Sequence, residues 1–83
     1  MSITVTAVLF GVHRAFLPPG ARQNGRVDLR YEGAGVTLAH VMRDLDMPAD
    51  TSRIVFLDGH RIEADRVLKD GDSVAFVSPV GGG

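Results

Sequence analysis

The residues of this sequence best suited to chemistry stand at its C-terminal end, where Gly81-Gly82-Gly83 follows an apolar run and Pro79. Glycine has no Cβ and keeps wide backbone freedom, so three in succession predict a thin, flexible peptide and not a packed element. Pro79, with its fixed φ, sets that peptide off from the fold. A carboxylate is inert toward nucleophiles until it is activated. Transfer of an adenylyl group from ATP would turn the Gly83 carboxylate into a mixed anhydride whose acyl carbon is open to attack. Sulfur arriving there leaves a thiocarboxylate, and an amine leaves an isopeptide. Side chains at the last positions would collide with the walls of a narrow channel and shield the acyl carbon. Gly82 and Gly83 have none.

The other reactive side chains form no such pattern. His13, His40 and His60 lie far apart in the chain, with no carboxylate or cysteine cluster beside them. Metal binding needs several converging ligands, so these read as surface histidines and no metal site is expected. No Gly-x-Ser-x-Gly elbow and no glycine-rich phosphate loop after a strand is present. Asp44, Asp46, Asp58, Asp70 and Asp72 fall where turns and a helix surface are expected, with no acid/base pairing between them. A chain of this size leaves little room for an enclosed pocket beside its core. The expectation is a protein that is not itself an enzyme and holds no tightly bound cofactor.

Eighty-three residues make one domain, which buries roughly 60–65% of its unfolded surface and so has a modest core. The net charge of −1 supplies no basic field for nucleic acid or an anionic membrane. There is no cysteine, so disulfides, zinc–thiolate sites and cysteine nucleophiles are excluded. The longest apolar run falls short of a membrane span, and Met1-Ser2-Ile3 opens onto a strand pattern without a charged leader. A cytoplasmic location fits these features.

The elements that must position the terminus follow from periodicity. Residues 3–10 alternate and are rich in β-branched side chains, which predicts a strand with Ile3, Val5, Ala7 and Leu9 toward the core. Residues 11–25 hold Pro18-Pro19-Gly20 and Asn24-Gly25, the chemistry of a long, mobile connection. Residues 26–32 alternate again, with Val27, Leu29 and Tyr31 inward. Thr37 is the expected N-cap of a helix over 38–47 that Pro48 stops; Leu38, Val41, Met42 and Leu45 make its apolar stripe. Strands are expected at 53–57, briefly at 60–63 and finally at 73–77, with a turn at Asp58-Gly59 and an irregular stretch from Ala64 to Lys69. The fold class is α+β: a mixed four- to five-stranded sheet with one main helix on one face, and the first and last strands parallel at its centre. If those two strands are neighbours, Val8 and Phe10 share the face away from the helix with Ala75 and Val77, an apolar patch fit for a partner.

The run Leu68-Lys69-Asp70-Gly71-Asp72-Ser73-Val74-Ala75-Phe76, then Pro79-Val80 and terminal Gly82-Gly83, resembles the end of the ubiquitin-like sulfur carriers. The likeness is to the small subunit of molybdopterin synthase, with the thiamine-pathway carrier as cousin, and Val8-Leu9-Phe10-Gly11 is similar to the first strand of that small subunit. The resemblance implies a β-grasp fold over residues 1–83, with 79–83 a flexible tail. It implies that Gly83 is adenylated by a ubiquitin-activating-type enzyme that uses ATP. A sulfurtransferase donor then makes the thiocarboxylate, and Gly81, Gly82 and Gly83 thread a large synthase subunit. It also implies that Pro79 and Val80 extend the docking surface of Val8, Phe10, Ala75 and Val77. Related carriers serve thiamine, cysteine, tungsten-cofactor or tRNA thiolation pathways, and some are conjugated to lysines. This sequence departs from the usual tail at Val77 and Ser78, where an aromatic and a second proline are common, and in its longer, doubly proline-bearing 11–25 connection.

Overall fold

Alternating β-branched and apolar side chains make Ser2–Leu9 the first strand, β1, in a computed structural model that describes residues 2–21, 23–47 and 54–77. Ile3, Val5, Ala7 and Leu9 are all buried, on the face the alternation assigned them. Strand β2 is Arg26–Glu32 and runs antiparallel to β1, with Val5 opposite Leu29. Helix α1 covers Leu38–Asp44, and β3 (Ile54–Leu57), β4 (His60–Ile62) and β5 (Ser73–Val77) complete the sheet. The spatial order is β2-β1-β5-β3-β4. β1 and β5 are parallel neighbours at the centre, and β3 pairs antiparallel with both β5 and β4. This is the expected β-grasp arrangement. Leu38, Val41 and Met42 of α1 join Val5, Leu9, Val74 and Phe76 in one core on one face of the sheet. Each such fully buried side chain favours folding by about 1.5–3 kcal/mol.

The helix is shorter than its periodicity predicts, ending at Asp44 rather than residue 47. Asp46 takes a left-handed φ of 55°, its N–H donates to the Arg43 carbonyl at 3.0 Å, and the Met47 N–H donates to the Met42 carbonyl at 3.0 Å. These two bonds form a Schellman motif, which satisfies the last carbonyls and turns the chain before Pro48 is reached. At the other end Thr37 is the N-cap, as expected, and its N–H donates to His40 Nδ1 at 2.9 Å. His40 therefore takes the place of the usual Glu or Gln in a capping box. The irregular stretch after β4 finishes that cap: the Leu38 and Ala39 amides donate to the carbonyls of Arg66 and Ala64, and Thr37 forms an isolated bridge with Val67.

The connection between β1 and β2 differs from the loop read in the sequence. Gly11–Phe16 and Pro19–Ala21 are 3₁₀ helices; His13 in the first and Leu17 between the two are buried. His13, expected at the surface, is only 1% exposed and stacks at a tilt against Phe16, with ring centroids 6.4 Å apart. The physical reason is spacing: His13, Phe16 and Leu17 stand at i, i+3 and i+4, so one turn of helix brings all three to one side. The turn signals at the two hairpin ends hold. Gly25, at φ 74°, accepts the Leu9 amide, and Asp58-Gly59, at φ 53° and 79°, makes the two-residue turn into β4.

Candidate functional site

The site is built where β5 ends. Asp70, Gly71 and Asp72 place the start of that strand against β1, and Thr6, Ala7, Val8 and Leu9 then run beside Ser73, Val74, Ala75 and Phe76. Val74 and Phe76 are buried in the core, so Ser73, Ala75 and Val77 lie on the opposite face. β5 is thus the central strand of the sheet, flanked by β1 on one side and β3 on the other. Pro79, Val80, Gly81, Gly82 and Gly83 lie outside the described residues.

The open face beside this exit is apolar. Val8 stands opposite Ala75, Ala75 opposite Phe56, and Val77 opposite Ile54. Phe10 follows β1 with extended backbone (φ −109°, ψ 152°), donates its amide to the Phe76 carbonyl at 3.1 Å, and is 46% exposed. The four residues read from the sequence, Val8, Phe10, Ala75 and Val77, thus come together on one face. Two more belong with them. Ile54 and Phe56 are half-buried on the same face, and the alternation of Ile54-Val55-Phe56-Leu57 carried that signal. One transverse row reads Arg26, Val8, Ala75, Phe56 and Arg61, an apolar centre with an arginine at each end. Farther from the exit the face turns polar, with Thr4, Thr6, Asp28 and Arg30; the Thr6 hydroxyl donates to Asp28 Oδ1 at 2.7 Å.

The remaining candidates have structural roles. His40 caps α1, His13 is buried under the 3₁₀ turn, and His60 is exposed on β4. Asp70 and Asp72 accept backbone amides, of Thr4 at 2.8 Å and of Lys69 at 2.8 Å. Asp58 and Asp46 sit at left-handed turn positions. Among the described residues no group of three histidines or carboxylates converges as a metal site. The Tyr31 hydroxyl is buried near Asp44; burial first, and that carboxylate second, hold the phenol well above its ordinary pKa. It lies on the helix side of the sheet, away from the exit of β5.

β5, the last strand described, is central in the sheet and lies beside an apolar face. A family model described as the ThiS family matches residues 22–83. The chain belongs to the ThiS family. Members of the ThiS family are small sulfur carriers and not catalysts, and they work with an adenylating enzyme and with sulfur acceptors. The match covers β2 through the terminal glycines and leaves β1, with Val8 and Phe10, outside it. No curated protein sequence matches the chain at a significant level. No helix among the described residues is long and apolar enough to cross a membrane.

Proposed function

We propose that this sulfur carrier serves molybdopterin synthesis, with Gly83 as the atom-bearing residue and 79–83 as the tail that carries it. A ubiquitin-activating-type enzyme uses ATP to adenylate the Gly83 carboxylate, releasing pyrophosphate. A sulfurtransferase, with a thiol as two-electron reductant, supplies hydrosulfide, which attacks the acyl carbon as AMP leaves, giving the thiocarboxylate. Gly81, Gly82 and Gly83 then thread the large synthase subunit, while Val8, Phe10, Ala75, Val77, Pro79 and Val80 dock on it, joined by Ile54 and Phe56. ATP is consumed by the activating enzyme, and the carrier keeps no cofactor of its own. The reaction belongs to the cytoplasm, in keeping with a chain that has no cysteine.

The observation that carries this reading is the pairing of Val8 with Ala75, which puts the Val8-Leu9-Phe10-Gly11 segment beside the strand that leads to the glycines. That segment, like the Leu68–Phe76 run and the terminal glycines, resembles the molybdopterin synthase small subunit. The test is to incubate the full chain with ATP, a cognate activating enzyme and a sulfur donor, and to read the intact mass. Exchange of one oxygen for sulfur at Gly83 is expected, and a chain lacking Gly83 stays unchanged. No exchange with any activating enzyme, or exchange in the shortened chain, overturns the mechanism. Complementation decides the pathway: rescue of a strain lacking the molybdopterin synthase small subunit is expected, and rescue only of a strain lacking the thiamine carrier overturns the assignment.

A further inference from the structure

Among the described residues β2 is an outer strand of the sheet and pairs with β1 alone. Which of its backbone groups face outward follows from the ladder. The Leu9 N–H donates to the Gly25 carbonyl, and in the same register Ala7 faces Val27, Val5 faces Leu29 and Ile3 faces Tyr31. In an antiparallel pair successive residues point their amide and carbonyl to opposite sides. Val27, Leu29 and Tyr31 are therefore bonded to β1, and Arg26, Asp28, Arg30 and Glu32 hold theirs toward the free edge. Exposed edges of this kind are templates for another strand, and most proteins blunt them.

The charges on this edge select a partner. We infer that β2 pairs antiparallel with β2 of a second copy of this chain, about a two-fold axis at Leu29. In that register Arg26 meets the partner's Glu32, Asp28 meets the partner's Arg30, and the same two pairs recur across the axis. All four are opposite-charge pairs at hydrogen-bonded positions, which stabilise a sheet. A slip of two residues in one direction sets Arg26 against the partner's Arg30 and Asp28 against the partner's Asp28. The other direction sets Asp28 against the partner's Glu32 and Arg30 against the partner's Arg30. The charge pattern thus accepts one register and rejects its neighbours, which is how an edge is made specific.

The side chains on the core face agree. Val27, Leu29 and Tyr31 are only half-buried, and Val27 and Leu29 border a groove of about 360 Å³ with Phe16, Leu17 and Leu45. In the pairing the two Leu29 side chains meet on the axis and each Val27 faces the partner's Tyr31, so this apolar edge is covered. Asp28 and Arg30 are not consumed within the chain. Asp28 accepts one bond from Thr6, and Arg30 gives one nitrogen to Ser2 at 3.1 Å and stands 3.9 Å from Glu32. A net charge of −1 puts little long-range repulsion between copies. The result is one continuous ten-stranded sheet, twice the five strands among the described residues of a single chain. Its two β5 strands run in opposite directions, roughly 24 Å apart at five strand spacings, so the partner copy leaves both strand ends uncovered.

The test uses the full chain at low salt in a sedimentation series over concentration, with hydrogen exchange read by NMR. The wild type is expected to pass from monomer to dimer. With concentration, the amides of Arg26, Asp28, Arg30 and Glu32 slow while those of Val27, Leu29 and Tyr31 stay as they are. Asp28→Arg and Arg30→Asp each set like charges opposite one another and weaken the dimer by at least ~10-fold, with circular dichroism unchanged. An equimolar mixture of the two variants sets arginines of one chain against aspartates of the other and restores the dimer. A wild type that stays monomeric across the series overturns the inference. So does a dimer indifferent to either variant, a mixture that stays monomeric, or protection that appears on another edge. None of these readouts depends on the chemistry of Gly83.

Discussion

The Asp70 carboxylate accepts the Thr4 amide at 2.8 Å, and this contact fixes where the last strand begins. Around it, the Gly71 amide donates to the Thr4 carbonyl and the Thr6 amide donates to the Asp72 carbonyl, each at 2.9 Å. Asp72 Oδ2 accepts the Lys69 amide, which holds the turn closed. The Asp70-Gly71-Asp72 run is thus a clasp between two strands that are 66 residues apart at Thr4 and Asp70. It gives parallel pairing a defined start and aims β5 down the middle of the sheet.

Removing the clasp should loosen that junction. Asp70→Ala is expected to cost about 1 kcal/mol, because it leaves the Thr4 amide without its acceptor at an exposed site. Asp70→Asn keeps an acceptor oxygen and should cost less than half as much. Gly71 sits at φ 87° with open space where a Cβ would go, so Gly71→Ala is expected to cost about 1–2 kcal/mol from backbone strain alone. Urea denaturation of the three variants reads these differences directly.

Asp46 offers the reverse experiment. It occupies the left-handed position of the Schellman motif, where glycine has no Cβ penalty, and its φ of 55° is uncommon for any other residue. Asp46→Gly is expected to raise stability by roughly 0.5–1 kcal/mol, the gain from relieved strain exceeding the added freedom of the unfolded chain. A lower denaturation midpoint would show that the aspartate earns its place through another contact.

These two positions mark the limit of what the sequence discloses. Periodicity gave the strands and the helix stripe, because each has a buried face that repeats every two residues or every three to four, and the order of those elements gave the parallel central pair. Terminal Gly82-Gly83 and the Asp70-Gly71-Asp72 run carried the family. Cooperative details were hidden. Asp46 ends the helix before Pro48 because a local pair of hydrogen bonds outweighs the continuing apolar stripe. His13 is buried because its neighbours Phe16 and Leu17 bring it inward, which composition does not encode. Ile54 and Phe56 were legible as strand residues, but their membership of the open face depended on β3 lying beside β5.

Tyr31 is the only tyrosine, so its phenol can be titrated by ultraviolet absorbance without interference. Burial, reinforced by the Asp44 carboxylate, raises its pKa above the ordinary 10.0, and the phenolate should appear only at higher pH than in the unfolded chain. The folded state then binds this proton more tightly than the unfolded one. Stability is therefore unaffected by this group below about pH 10 and falls as pH rises beyond it. Tyr31→Phe should flatten that alkaline loss, and Asp44→Asn should move the phenol titration downward. A native titration midpoint at the ordinary value would contradict the burial described above.

The open face predicts a division between binding and folding. Phe56 and Val8 are half-buried beside the exit of β5, and a charge on either has water to reach, so Phe56→Asp and Val8→Asp should fold. Each should weaken association with the activating enzyme or the sulfur acceptor at least ~10-fold, since an apolar anchor at the centre of an interface carries much of its energy. Thr4 lies on the same face but at its polar end, so Thr4→Asp should leave binding nearly unchanged. Val5 is fully buried on the other face, and Val5→Asp should unfold the chain, because a lone carboxylate in the core has no partner. Calorimetric titration of the folded variants against either partner separates the cases. Equal losses from Thr4→Asp and Phe56→Asp would mean that the partner reads the whole face as charge, and the apolar patch would then have no special part in docking.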